Sequence, residues 1–395
     1  MTSANTLLAE LELIGRDPST GGYHRPAWGA ATLELREWFA GAAAARGLEL
    51  SEDGNGNQFA RWGSGPGALL IGSHLDSVPD GGPLDGPLGV TSAFAALDSL
   101  RADGFVPARP VVVANFSDEE GARFGVACLG SRLATGAITP ASALALRDDT
   151  GTTLAEAMTQ AGRDPRAAGP AAWLAEVSEF VELHVEQGRS LIHQDAAVGV
   201  ASAIWPHGRW RLEVCGQGNH AGATLMADRH DPMLTYAATV LAARRVAIES
   251  GQRATFGKLA VHPGSTNSIP SRVDAWLDAR AESEAELERL VAAILNQARR
   301  AADLDGTTVS LQPESITAGV TFDPGLRHRL ATRLDVPVLP TGAGHDAGIL
   351  SARMPTAMLF VRNPTGVSHA PSESAEPDDI DAGVAALALA IRELA

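Results

Sequence analysis

The chain of 395 residues is 45% hydrophobic and 20% charged, a balance that supports a large buried core and excludes fibrous, disordered and small secreted classes. Its 31 Lys and Arg against 47 Asp and Glu give a net charge of −16, which argues against nucleic acid or an anionic membrane surface as a partner. No run approaches the roughly 20 apolar residues of a membrane span. The opening stretch MTSANTLLAELELIG lacks the basic start of a signal peptide. Two cysteines, Cys128 and Cys215, make no disulfide framework, so a reducing, cytoplasmic setting is expected.

In chain order, residues 29–47 read as a helix rich in Ala, Leu and Glu, and ALLIGSHLD (68–76) as a buried strand feeding a polar loop. A second helix is predicted over 88–103. PVVVANF (110–116) and EFVELHVE (179–186) follow as strands that also end in polar residues. Apolar strands alternating with helices predict an α/β fold: a mixed, mostly parallel sheet flanked by helices. Near residue 205 the texture changes. RWRLEVCG (209–216) alternates apolar and polar residues, as an antiparallel strand with one solvated face does. A helix over 231–250, strands near 254–263 and 271–280, a helix over 282–304 and a strand over 307–315 complete an α+β unit. The later segments DVPVLPTGAGHDAG and PTAMLFVRNPTGVSH return to apolar strands with polar ends. The expected organisation is a first domain of 1–205 and 319–395 with a second, 206–318, inserted into it.

Potential ligands collect where strands end, and in open α/β sheets the carboxyl ends of strands form the ligand crevice. His74 and Asp76 follow one strand, and Asp85 lies in the loop DGGPLDGPLG. Glu119 and Glu120 follow the next strand, His184 ends a third and His369 sits in GVSHAPSE after a fourth. Imidazoles and carboxylates from separate strand ends suit Zn²⁺ or Mn²⁺. Glu119 and Glu120 point apart if the backbone is extended. One would then ligate a metal while the other faces the attacking water as general base. Asp76 is near enough to orient the His74 ring, and Asp85, between Gly82 and Gly86, is placed to bridge two ions. Taken singly, a strand-end histidine is more often a hydrogen-bonded surface residue and a Glu-Glu pair a solvated face; the pattern by itself leaves both readings open. Asp53-Gly-Asn55-Gly-Asn57 opens like a calcium loop but has Gln58 and Ser64 where Gly and Glu are required. The chain has no G-x-S-x-G elbow and no Walker loop. Cys128 and Cys215 read as small core residues.

The motifs GSHLDSVPDGGPLDGPLGV, FSDEEGARFG, ELHVEQG, NHAGATLM, STNSIPSRV, TGAGHDAG and GVSHAPSE occur in that order between residues 72 and 373. As a set they closely resemble the hydantoinase/carbamoylase family of dinuclear metallohydrolases. That family includes N-carbamoyl-L-amino acid, allantoate and ureidoglycolate amidohydrolases and beta-ureidopropionases. The resemblance implies a catalytic domain with an inserted lid that also forms a homodimer. It implies two divalent ions per subunit, Zn or Mn with Co or Ni admissible, one held by His74, Asp85 and His184 and the other by Asp85, Glu120 and His369. Glu119 would be the general base. His220 would reach the reacting carbonyl, Asn267 and Arg280 would bind a substrate carboxylate, and Gln187, His345 and Gly366 would line the substrate site. The implied reaction is hydrolysis of a ureido or carbamoyl C–N bond in a small carboxylate. Allantoate, and with it purine catabolism, leads, and N-carbamoyl-L-amino acids are the near alternative. A co-catalytic aminopeptidase is disfavoured by His184, and a metal-free binding scaffold by the retained Glu119 and five ligands. The chain departs from the family pattern at Leu225, where Pro is usual, at Leu84 and Pro87 beside Asp85, and at Arg362-Asn363.

Overall fold

The structure, a computed structural model, describes residues 2–395. Strands are numbered in chain order. β1 (Glu49–Glu52), β2 (Gln58–Trp62), β3 (Ala68–His74), β4 (Val111–Phe116), β5 (Val177–Val185) and β6 (Val198–Ile204) come first. β7 (His207–Cys215), β8 (Asn219–His220), β9 (Arg253–His262), β10 (Ser268–Ile269), β11 (Arg272–Arg280) and β12 (Thr308–Thr317) follow, and β13 (Val320–Thr321), β14 (Val338–Thr341) and β15 (Thr356–Val361) close the series. The chain divides into two compact units, one running up to Ser202 and resuming at Thr321–Ala395, the other Ala203–Val320.

The first unit is built on a sheet of order β1-β2-β4-β3-β5-β15-β6-β13, with β14 on β6. Its four central strands, β4, β3, β5 and β15, run parallel, and β1, β2 and β6 pair antiparallel at the flanks. Every residue of β3, β4 and β15 is buried, which explains why these strands read as continuous apolar runs: both faces are covered. On one face, Leu88, Phe94 and Leu97 of the helix Pro87–Ala102 share a core with Leu69, Ile71, Val181 and Leu183 and with the C-terminal helix Pro377–Leu394. A second cluster gathers Trp28, Phe124, Leu129, Leu133 and Met158. In β5 the apparent alternation does not mark a solvated face. Its last six residues are all buried, Glu182 and His184 included.

The parallel registers bring the strand ends together. His74 pairs with Phe116 and His184 with Phe360, so the loops leaving β3, β4, β5 and β15 emerge at one edge of the sheet. β1, β2, β6 and the short β8, β10 and β13 have no counterpart in the sequence reading; a two-residue strand carries no period to detect.

The second unit is a four-stranded antiparallel sheet of order β12-β7-β11-β9. Burial alternates along β7, as its sequence suggests. Trp210, Leu212, Val214, Val273, Ala275 and Leu277 lie in cores shared with the helices Pro232–Ser250 and Glu284–Asp305 or with apolar side chains flanking them. Asp231 and Ser283 cap those helices, each accepting a backbone N–H of the first turn. β8 and β10 form a separate ribbon, with His220 opposite Ser268.

Candidate metal centre

Asp85 sits at the middle of the site. Its turn ends in Gly86, whose φ of +86° and closeness to the His74 ring, 2.5 Å from where a Cβ would lie, exclude other residues. The next residue, Pro87, opens a buried helix, so the turn is anchored on its far side. One carboxylate oxygen of Asp85, Oδ1, lies 3.1 Å from His184 Nε2 and 3.6 Å from His74 Nε2; the other, Oδ2, lies 3.2 Å from His369 Nε2. Glu120 Oε2 is 3.5 Å from that same His369 nitrogen. The two oxygens of one carboxylate therefore face two different groups, His74 with His184, and Glu120 with His369. Within each group the ligand atoms all lie within 4.8 Å of one another.

The imidazole tautomers follow from the bonding. His184 Nδ1 is 2.9 Å from the Val185 carbonyl and His74 Nδ1 is 3.2 Å from the Asp76 carbonyl; a carbonyl only accepts, so both protons sit on Nδ1. The Nε2 lone pairs point to the site, and both Nε2 atoms are buried without a hydrogen-bond partner. These buried nitrogens aimed at a carboxylate oxygen fit a divalent cation in the first group, and the exposed His369 imidazole with the Asp85 and Glu120 carboxylates offers the same donor types in the second. Burial would push the Asp85 carboxyl up; with the imidazoles protonated, the charge of His184 and the hydrogen bonds from His184, His369 and His74 hold it well below the usual carboxylate range. The Asp85 bond is the largest of the effects that raise His369 to about 9.

The backbone at Glu119 and Glu120 is not extended. Asp118 takes a left-handed φ of +55°, which turns the chain so that both glutamates face the centre. Glu119 Oε2 lies 3.7 Å from His74 Nε2. Asp76, expected to orient His74, also touches the next loop. Its carboxylate oxygens accept the backbone N–H groups of Glu119 and Glu120 at 3.1 and 3.0 Å, and Oδ1 lies 3.4 Å from His74 Nδ1. Burial is the main reason that the Glu119 carboxyl is pushed well above its ordinary range, with the charges of Asp346, Glu120 and Asp76 adding to it. Glu120 is raised to about 7, again chiefly by burial. A carboxylate with raised proton affinity is suited to general-base work. Cys128 is buried as expected, but it is more than packing: its thiol donates to Glu119 Oε1 at 3.2 Å.

Around this centre, Gln187 Nε2 donates to Asp85 Oδ2 at 2.8 Å, and the His345 ring stacks edge-on against His184 with centroids 4.5 Å apart. Burial and His184 hold His345 well below its ordinary range, hence neutral. Gly366 has φ +70° and packs on the Arg189 side chain, with its N–H on Asn363 Oδ1. The departure at Arg362-Asn363 is structural: Arg362 forks onto Asp379 with two 2.8 Å bonds, and Asn363 ties its own loop. Sequence reading missed Glu182 and Asp346, a buried acidic pair bound by Ser73 and Ser131 respectively, and gave no role to Glu373. Their only local signal is a charged residue inside or beside an apolar run.

His220, Asn267 and Arg280 belong to the second unit. His220 Nδ1 accepts the N–H groups of Gly222 and Ala223 at 3.1 and 3.2 Å, which leaves the ring proton on the exposed Nε2. Asn267 lies beside it, its carbonyl bound by Ala221 N–H. Arg280 ends β11, with Nε on Asp278 at 2.9 Å.

The sequence model of the peptidase family M20/M25/M40 matches residues 70–393. The chain is 37% identical to an N-carbamoyl-L-amino acid amidohydrolase of Geobacillus stearothermophilus, covering 98% of this chain and 97% of the relative. It is 32% identical to an allantoate amidohydrolase of Escherichia coli, covering 98% and 96%. Among solved structures, a hydantoinase/carbamoylase family amidase of Burkholderia multivorans superposes with a TM-score of 0.89 at 31% identity, over 100% of this chain and 98% of that one. With matches of this length, the chain belongs to the peptidase M20/M25/M40 family and, within it, to the hydantoinase/carbamoylase amidohydrolases, which act on C–N bonds other than peptide bonds.

Proposed function

We propose that the protein hydrolyses a ureido or carbamoyl C–N bond in a small carboxylate substrate, with allantoate as the leading substrate. The observation that carries this reading is the single carboxylate, Asp85, presenting one oxygen to each of two ligand groups beside Glu119, the first of them fully buried and the second open at His369. His74, Asp85 and His184 would hold one divalent ion and Asp85, Glu120 and His369 the other. Zn²⁺ and Mn²⁺ both suit such ligands. When bound, such ions polarise the carbonyl and lower the pKa of water to about 7. Glu119 takes a proton from water as its oxygen bonds to the ureido carbon. It then returns that proton to the nitrogen as the C–N bond breaks, giving an amine and carbamate, which falls to ammonia and carbon dioxide. Nε2–H of His220, its tautomer set by two backbone amides, would donate to the developing oxyanion, a contribution of about 10²–10³ in rate in comparable sites. Arg280 and Asn267 would bind the substrate carboxylate and orient the ureido group.

A second reading, N-carbamoyl-L-amino acid hydrolysis, is favoured by the Geobacillus relative. The unit Ala203–Val320 would serve as lid and dimer interface, in a reducing cytoplasmic setting. No helix among the described residues is long and apolar enough to cross a membrane. Ammonia release from allantoate and N-carbamoyl-L-amino acids, and amino-acid release from dipeptides, each with Mn²⁺ and Zn²⁺, test the reading. Allantoate should give ammonia and a ureido amine, whereas the carbamoyl substrates would give the free amino acid. Turnover of dipeptides alone would overturn it.

A further inference from the structure

Asp85 can face both ligand groups only if its turn and the His369 loop keep a fixed spacing, although 284 residues of sequence separate them. One side chain spans that gap. Glu373 is buried, and its Oε2 accepts the backbone N–H groups of Leu84 at 2.9 Å and Asp85 at 3.0 Å. Its Oε1 accepts from Ser368 Oγ at 2.8 Å, and the same hydroxyl lies 3.0 Å from Asp85 Oδ2. Gly82 completes the fit, because a Cβ there would meet the Glu373 carboxylate at 2.3 Å. His369 itself sits at a left-handed φ of +56°, a conformation that strains a non-glycine residue and persists only where its surroundings hold it.

We infer that Glu373 is a positioning residue: through Ser368 and the Asp85 turn it holds the bridging carboxylate and His369 in register, and so sets the affinity of the ion bound by Asp85, Glu120 and His369. The inference rests on the metal reading above. Ser368 has one hydroxyl hydrogen and faces two carboxylates. In a Glu373→Gln variant the amide oxygen can still accept both backbone N–H groups, while the amide N–H donates to Ser368 Oγ and frees its hydrogen for Asp85. Gln is therefore the conservative replacement, and Ala is the disruptive one.

The test is metal content, read by mass spectrometry after chelator competition on protein loaded with Zn²⁺ alone or Mn²⁺ alone, with folding checked by circular dichroism. Wild type should hold two ions. Glu373→Ala should bind one of them roughly 10–100-fold more weakly, the usual cost of losing a partner that orients a ligand. Its Mn²⁺-loaded form should show the paramagnetic resonance of an isolated ion in place of a coupled pair. Glu373→Gln should stay within a few-fold of wild type. Ser368→Ala, which leaves Glu373 in place, should weaken the same ion by a smaller factor, and it carries the test if Glu373→Ala does not fold. Two ions held equally tightly by wild type and by Glu373→Ala (or by Ser368→Ala, if that is the variant left) would overturn the clamp alone. A Gln variant as defective as Ala would overturn its hydrogen-bond basis. A wild-type protein that takes up no ion would overturn the metal reading and the clamp with it.

Discussion

Glu119 reaches the centre because three unrelated groups hold it: Asp118 turns the backbone, Asp76 accepts its N–H, and the Cys128 thiol bonds one of its oxygens. If Glu119 is the general base proposed above, Glu119→Gln keeps the shape and removes the proton acceptor. It should lower kcat by at least about 10²-fold while metal content stays at two ions per chain, measured by ammonia release and mass spectrometry. A loss of metal in step with activity would make Glu119 a ligand and not the base. Asp346 supports a pH prediction. Burial, and then Glu182, raise its carboxyl to about 8, and its Oδ1 is tied to Ser131. The folded state thus holds a proton that the unfolded chain, with an ordinary aspartate near 3.9, has released. The contribution to stability is full below about pH 4 and is lost as pH rises through about 8. Asp346→Asn removes that dependence. Its melting temperature relative to wild type should rise between pH 5 and pH 8, and a constant difference would refute the assignment.

At the scale of elements, the helix Pro87–Ala102 carries the Asp85 turn at its start, so its seating governs the centre. Phe94 on this helix is fully buried, with its ring 5.2 Å from Phe39 and 6.1 Å from Trp38 on the neighbouring helix Ala30–Ala45 and the Arg46 guanidinium 4.9 Å from its face. Phe94→Ala should cost about 3–5 kcal/mol, the usual range for a buried aromatic truncated to Ala, read as a lowered urea midpoint with unchanged slope. The element types were legible in the sequence where the pattern is long. The buried strands β3, β4 and β15 are legible as unbroken apolar runs, and the helices Pro232–Ser250 and Glu284–Asp305 as long segments between caps. β1, β2 and β6 were not read, because four to seven residues of mixed polarity on a sheet flank give no clear alternation.

For the whole molecule, the second unit presents features that a partner copy would cover. Among the described residues β9 pairs with β11 alone, which leaves one backbone edge open. On the helix Pro232–Ser250, Leu234, Leu241 and Ile248 recur every seven residues and are 47%, 67% and 69% exposed. If this seam joins two copies, Leu241→Glu should convert a dimer to a monomer in sedimentation velocity, since burying an unpaired charge opposes association. A wild-type monomer, or a variant that stays dimeric, would remove this seam as the interface.

The residue types needed for the chemistry, and their places at the ends of apolar strands, are properties of the sequence, because a buried parallel strand must be apolar throughout and must end where polar side chains begin. The ordered motifs added the family. The tertiary structure alone decided which atoms meet. It turned Glu119 and Glu120 to one side through a left-handed Asp118, set the Cys128 thiol on Glu119, and placed Glu373 under a turn nearly three hundred residues away. Such contacts depend on strand order and register, which are fixed by packing between distant segments and leave no local period in the chain.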